Sequence, residues 1–238
     1  MMLRTTPIRF TDNFEAWERL LSHLGMTKAV TEDGWWEFDS HSGGLRLHSP
    51  DHERPAGTTR LCVEVGDLDE FARRTREAGT ETVITQEGHG PTATITGPDG
   101  VTLTATAATR PPLTEGADPL LHVLGLWYSP QTDEVAATLR HIGARPDISA
   151  DQGGWHQFTA KNGGLLAAHG GTTSGVVLGF QYDGDAEDLH ARLRDARLDA
   201  SLVDESYGRT VLVADPDGGE PIWVNERQTD LYGYHRPA

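Results

Sequence analysis

The sequence predicts an α+β protein of four β-α-β-β-β units arranged as two tandem copies, and three observations predict it. The first is internal repetition over a long period. Asp33-Gly34-Trp35-Trp36-Glu37-Phe38, followed by Gly43-Gly44-Leu45, recurs 120 residues later as Gly153-Gly154-Trp155-His156-Gln157-Phe158, followed by Gly163-Gly164-Leu165. Pro98-Asp99-Gly100 recurs 118 residues later as Pro216-Asp217-Gly218, and Glu87-Gly88-His89-Gly90 has its counterpart in Glu205-Ser206-Tyr207-Gly208. The second is that each copy divides again into a strand, an amphipathic helix and three short strands. The third is the Pro-rich segment between the copies, Thr109-Arg110-Pro111-Pro112-Leu113-Thr114-Glu115-Gly116, which reads as a linker. The expected division is a first domain at 1–108, a linker at 109–118, a second domain at 119–228 and a C-terminal tail at 229–238.

In chain order, Leu3 to Phe10 is expected as a strand with Thr6, Ile8 and Phe10 on one face. Asp12 then caps a helix, with Glu15 completing a capping box. Phe14, Trp17, Leu21 and Leu24 form its apolar stripe, and Gly25 ends it. Strands near residues 26–31, 35–39 and 45–49 follow. Leu61, Val63 and Val65 alternate along the next strand, and Asp67 with Glu70 forms a second capping box. That helix presents Leu68, Phe71, Thr75 and Ala78 and stops at Gly79, before strands near 80–85, 93–96 and 101–106. In the second copy Ser129 caps a helix with Pro130 in its first position. Val135, Leu139 and Ile142 line that helix, and Ala186, Leu189, Leu193 and Ala196 line the last one.

With 20 basic and 36 acidic residues among 238, the net charge is −16. Such a balance disfavours nucleic acid and anionic membrane as partners. Cys62 is the only cysteine, so neither an intrachain disulfide nor a Cys-based zinc site is available. The first residues lack the apolar core of a signal peptide, and no stretch approaches the roughly 18 apolar residues of a membrane span. A cytoplasmic protein is the resulting expectation. Signatures of a nucleophile elbow, a phosphate-binding loop or a zinc-protease helix do not occur.

Paired β-α-β-β-β units, each copy ending in Gly97-Pro98-Asp99-Gly100 or Asp215-Pro216-Asp217-Gly218 before its last strand, resemble the vicinal-oxygen-chelate superfamily of glyoxalases, bleomycin-resistance proteins and dioxygenases, in its tandem-domain form. The resemblance implies that each pair of units curls its strands into a cup, helices outside and ligand within. It also implies that metal-dependent members place histidine and glutamate inside the cup from the first, fourth, fifth and eighth strands. The matching positions here are Thr5, Arg46, Arg60 and Thr104 in the first copy, and His122, Leu166, Val177 and Trp223 in the second. Only His122 is able to ligate a metal. An alternative register, with Leu124, Leu126 and Tyr128 against the helix, removes it from that position. No cofactor is therefore expected, a nonstandard set such as His48 with Glu64 being the alternative.

Strand alternation sends Arg9, Arg46, His48, Arg60 and Glu64 into the first cup. Arginine forks there suit a carboxylate or phosphate, and Glu64 is a candidate general base; a self-satisfied ion network is the alternative. The second cup is expected to be aromatic, walled by His156, Gln181, Tyr207 and Trp223 over Leu166 and Val177, a lining suited to flat apolar molecules. His89 lies in the loop before the seventh strand, and Trp35 and Trp155 are expected as shared packing residues. The expected function is metal-independent binding of a small molecule, an aromatic or cationic natural product held as bleomycin-resistance relatives hold theirs. Two enzymatic alternatives stay open: a metal-free lyase, isomerase or cyclase using Glu64, Arg46 and Arg60, and a divalent-metal glyoxalase or dioxygenase with nonstandard ligands. The expected partner is a small molecule, with the chain a monomer or a homodimer.

Overall fold

The computed structural model describes residues 2–205 and 207–237; Ser206 of the repeated Glu-Ser-Tyr-Gly segment lies outside them. The first unit comprises β1 (Leu3–Thr5), β2 (Ile8–Phe10), α1 (Phe14–Leu24), β3 (Thr27–Glu32), β4 (Trp35–Asp39) and β5 (Gly44–His48). The second comprises β6 (Thr59–Val65), α2 (Leu68–Glu77), β7 (Thr82–Glu87), β8 (Gly90–Thr96) and β9 (Thr102–Ala107). The third comprises β10 (Leu121–Ser129), α3 (Thr132–His141), β11 (Arg145–Ala150), β12 (Trp155–Thr159) and β13 (Leu165–Gly170). The fourth comprises β14 (Gly175–Tyr182), α4 (Ala186–Asp195), β15 (Ala200–Glu205), β16 (Gly208–Val213) and β17 (Ile222–Glu226), and a short β18 (Tyr234–His235) follows. Among the described residues no helix is long and apolar enough to cross a membrane.

Each copy forms one curled sheet. The first has the order β3-β4-β5-β2-β6-β9-β8-β7 with β1 alongside β6, and the second β15-β16-β17-β14-β10-β13-β12-β11-β18. The leading strands of the two units pair antiparallel at each centre, β2 with β6 and β10 with β14. The expected first strand is interrupted because Pro7 has no N–H to give the ladder; β1 pairs only with β6, while β2 bridges β5 and β6. Two expected caps are also corrected. Asn13 and Gln131, rather than Asp12 and Ser129, precede α1 and α3, and neither makes a side-chain cap. The Asp67 cap is present, accepting the Glu70 N–H at 2.9 Å.

The helix-bearing faces of the two sheets share their cores. Leu61, Val63, Phe71 and Leu103 of the first copy pack with Trp127, Val135, Leu139 and Phe158 of the second. Trp17, Leu21, Phe38 and Leu45 pack with Phe180, Leu189, Leu193 and Val224. Burial of this kind is worth about 1.5–3 kcal/mol per large apolar side chain, so each copy is stabilised by its neighbour. The repeated Gly-Gly marks where the backbones cross. A Cβ on Gly163 would lie 2.8 Å from the backbone N of Gly43, and one on Gly164 2.5 Å from Thr5 Cβ. The repeated Pro-Asp-Gly turns lock the same interface. Asp217 accepts from Trp17 Nε1 at 2.9 Å and Arg9 Nε at 3.0 Å, and its twin Asp99 accepts from Trp127 Nε1 at 3.0 Å.

Candidate functional site

Strand register aligns the two cups residue by residue. In the first cup Ile8 lies beside both Arg46 and Arg60, and Arg4 beside Glu64. In the second, Leu126 lies beside Ala167 and Val177, and His122 beside Gln181. Likewise Phe10 pairs with His48 and Tyr128 with His169. The match to Arg46 is therefore Ala167, not Leu166, which is buried among the helices of the shared core. The segment Gly163-Gly164-Leu165-Leu166-Ala167-Ala168-His169 carries one more residue than Gly43-Gly44-Leu45-Arg46-Leu47-His48. That extra residue reverses the faces.

Charges fill the first cup. Arg4 reaches Asp39 at 2.8 Å and Glu64 at 3.2 Å; Arg46 bonds Glu64 and Thr6; Arg110, from the segment after β9, reaches Glu37 at 2.6 Å and Asp39 at 2.7 Å. Burial pushes the Asp39 carboxyl up, but Arg110, the Leu113 N–H and Arg4 together hold it below the usual carboxylate value. Three guanidiniums and three carboxylates thus neutralise one another. Arg46 and Glu64, the candidates for acid-base and anion-holding roles, are the centre of this plug. Arg60 faces the same cup, and among the described residues no carboxylate lies within salt-bridge distance of it. Burial, with the neighbouring Arg54 charge, pushes the Arg60 pKa down. His48 meets Trp35 edge-on at 5.5 Å, its Nδ1 2.5 Å from the Ser49 carbonyl.

In the second cup the same positions are neutral. Gln157 stands for Glu37, Gln181 for Glu64, Ala167 for Arg46, Val177 for Arg60 and Gln228 for Arg110. With the guanidiniums gone, a cavity of about 140 Å³ opens, close to the roughly 150 Å³ that holds one benzene ring. Leu124, Leu126, Tyr128 and Trp155 line it, packed in one cluster with the buried Leu165 and Ala167. Tyr207, Trp223, Asn225 and Tyr234 complete the walls. Val177 and Trp223, 44% and 39% exposed, form the mouth. Burial raises the pKa of the Tyr128 and Tyr207 phenols, so both stay protonated at neutral pH. The C-terminal segment, expected as a tail, crosses this cup: β18 pairs with β11 and brings Tyr234 into the wall, and Arg236 bonds Asp147.

Of the sequence-derived candidates, Gln181, Tyr207 and Trp223 converge in this cavity together with Val177. Three lie in neither cup. His156 faces the opposite side of β12, bonding Ser149 and Asp133, because it shares alternation with the buried Phe158. Arg9 leaves its strand away from the first cup and clamps Asp215 and Asp217 of the other copy. His89 sits in an exposed turn 3.2 Å from Thr92. Thr5 faces the inter-copy junction. His122 does share the cup face with Leu124, Leu126 and Tyr128, so the alternative register is not adopted. It lines an adjoining polar compartment of about 170 Å³ with Asp147, Asp183 and Arg227. Burial pushes its pKa down, against the opposing pull of Asp183 at 3.3 Å. Sequence reasoning left Tyr128, Gln157, Asn225 and Tyr234 out of the site and gave His169 no face; aligning His169 with His48, instead of glycine with glycine, reveals the last.

Among the described residues no group of three His, Cys, Asp or Glu side chains has the spacing to hold a metal ion. The inner faces of the second cup's central strands carry two imidazoles, His122 and His169, which line separate compartments with leucine, alanine, valine and tryptophan between them. In the first cup Glu64 is bound by two arginines, which repel a cation.

No family model and no curated protein sequence matches the chain. Solved structures do. A catechol 2,3-dioxygenase superposes with a TM-score of 0.59 at 17% identity, covering 99% of this chain and 94% of that one. The 2,3-dioxygenase LapB from Pseudomonas sp. KL28 gives 0.61 at 14% identity, covering 99% and 92%. The Mn(II)-bound glyoxalase from Novosphingobium aromaticivorans gives 0.59 at 14% identity, covering 95% and 82%.

Proposed function

We infer that the chain, whose fold matches these dioxygenases and this glyoxalase along nearly its whole length, is of the vicinal-oxygen-chelate type. We propose that it is a metal-independent binding protein that holds a small planar aromatic molecule in its second cup, the first cup being a structural half. The observation that carries this reading is the twin comparison: one ion network plugs the first cup, and its neutral replacements leave the second open and aromatic. Stacking on Trp155, Tyr128, Tyr207 and Trp223 and the burial of one ring supply the affinity. Sequestration, whether of an antibiotic-like natural product or another aromatic, follows from a pocket that binds without a reactive centre.

One observation favours a metal-free enzyme as the second reading. His169 faces the cavity with its Nδ1 2.6 Å from the Gly170 carbonyl, which orients the ring and leaves Nε2 for proton transfer. Titration of a panel of monocyclic and bicyclic aromatics, with and without chelator, followed by product analysis, separates the readings. Saturable binding that is indifferent to chelator, is lost in Trp223→Ala and returns the ligand unchanged is the expected result. A consumed ligand moves the assignment to His169 chemistry. Binding that requires a divalent ion overturns both.

A further inference from the structure

Resting on the reading of the second cup as the ligand site, we infer that this cup selects aromatic molecules bearing a hydrogen-bond donor, with Gln157 as the specificity-determining acceptor. The inference comes from following each amide to its partner. Gln181 Nε2 donates to Asp183 Oδ1 at 2.7 Å, which turns Gln181 Oε1 toward Gln157. Gln157 Nε2 donates to that oxygen at 3.3 Å and to Asp147 Oδ2 at 3.2 Å. Rotating the Gln157 amide by half a turn would set its carbonyl against two acceptors, so its orientation is fixed by the carboxylates behind it. Its Oε1 receives no donor among the described residues, and Gln157 is part of the cavity wall.

His169 adds a second acceptor. The Gly170 carbonyl can only accept, so Nδ1 carries a proton and the neutral tautomer presents its lone pair at Nε2. Tyr128 and Trp155 hold that ring, at 4.6 Å and 5.5 Å between centroids. Asn225 adds an amide donor: Thr210 Oγ1 donates to its Oδ1 at 3.0 Å, leaving Nδ2 unspent. No guanidinium or ammonium lines this wall: where the first cup has Arg46, Arg60 and Arg110, alanine, valine and glutamine stand here. A carboxylate would meet two lone pairs and no cation. A phenol, an aryl amine or an N–H heteroaromatic of single-ring size satisfies the acceptors it displaces from water.

The test uses the full chain with three matched probes, phenol, anisole and benzoate, followed through the tryptophan indole N–H resonances. Phenol is expected to bind about three- to tenfold more tightly than anisole, the range of one net hydrogen bond, with benzoate weakest. In Gln157→Met the phenol preference is expected to vanish while anisole binding persists. The wild-type ratios decide by themselves should the variant not fold. Equal phenol and anisole affinities, or benzoate as the tightest probe, overturn donor selection and leave the aromatic cup standing. Absence of shifts with every probe, or phenol binding unchanged in Trp223→Ala, overturns the cup assignment as well.

Discussion

Placing an arginine at Ala167 should close the second cup in the way Arg46 closes the first. Ala167 is fully buried, and its twin Arg46 is satisfied by Glu64, by Thr6 Oγ1 at 3.3 Å and by Cys62 Sγ at 3.7 Å. At the matching places the second cup offers Gln181, Leu124 and Gly179. Ala167→Arg therefore buries a guanidinium facing one amide oxygen already taken by Gln157. An uncompensated buried charge costs about 3–5 kcal/mol, which for a chain of this size lowers Tm by roughly 6–20 °C. Adding Gln181→Glu supplies the missing carboxylate, and most of that loss should return. Ligand binding should stay absent in the double variant, because the side chain now occupies the cavity. Thermal and denaturant unfolding, paired with phenol titration, measures all three states. Wild-type stability in the single variant, or no recovery in the double, would refute the twin-cup argument.

Three further outcomes follow from the same structure. Asp217→Ala removes the acceptor shared by Arg9, Thr11 and Trp17 and should cost about 3 kcal/mol in denaturant unfolding, whereas Asp99→Ala, whose partners include no arginine, should cost about half as much; equal costs would contradict the lock described for these turns. Because burial lowers the His122 pKa, its neutral form is favoured on folding, so its contribution is complete above 6.5 and is lost as pH falls toward the lower folded-state value. Stability should decline below pH 6.5 less steeply in His122→Gln, and an NMR titration placing His122 above 6.5 would contradict this. Tyr234→Ala opens the wall where β18 crosses the cup and should weaken phenol binding by about two- to tenfold, with stability little changed; an unchanged affinity would remove the crossing segment from the site.

The β-α-β-β-β order was legible because each helix carries its own apolar stripe and stop signal, and because two copies repeat the pattern. Period-two alternation also placed Arg46, His48, Arg60 and Glu64 in one cup and Gln181, Tyr207 and Trp223 in the other. What alternation does not carry is register across an insertion. One extra residue in β13 moved Leu166 to the shared core and Ala167 and His169 to the cup face, since a one-residue slip exchanges the faces of a strand. Nor does sequence show which charges meet. Arg9 looked like a cup residue by pattern, yet its face of β2 turns to the other copy, where Asp215 and Asp217 await it. The Tyr234 wall was hidden for a related reason: β18 pairs with β11, whose partner residues Ser149 and Ala150 lie some 85 positions upstream, and two-residue strands leave almost no local signal.

A crystal structure of the full chain soaked with phenol, without added metal, tests the central claim most directly. Density for one ring among Leu126, Trp155, Tyr207 and Trp223, with the Arg4–Arg46–Arg110 network of the first cup undisturbed, is the predicted result. A ring lodged among the arginines, or a divalent ion bridging the ligand to protein side chains in either cup, would contradict it.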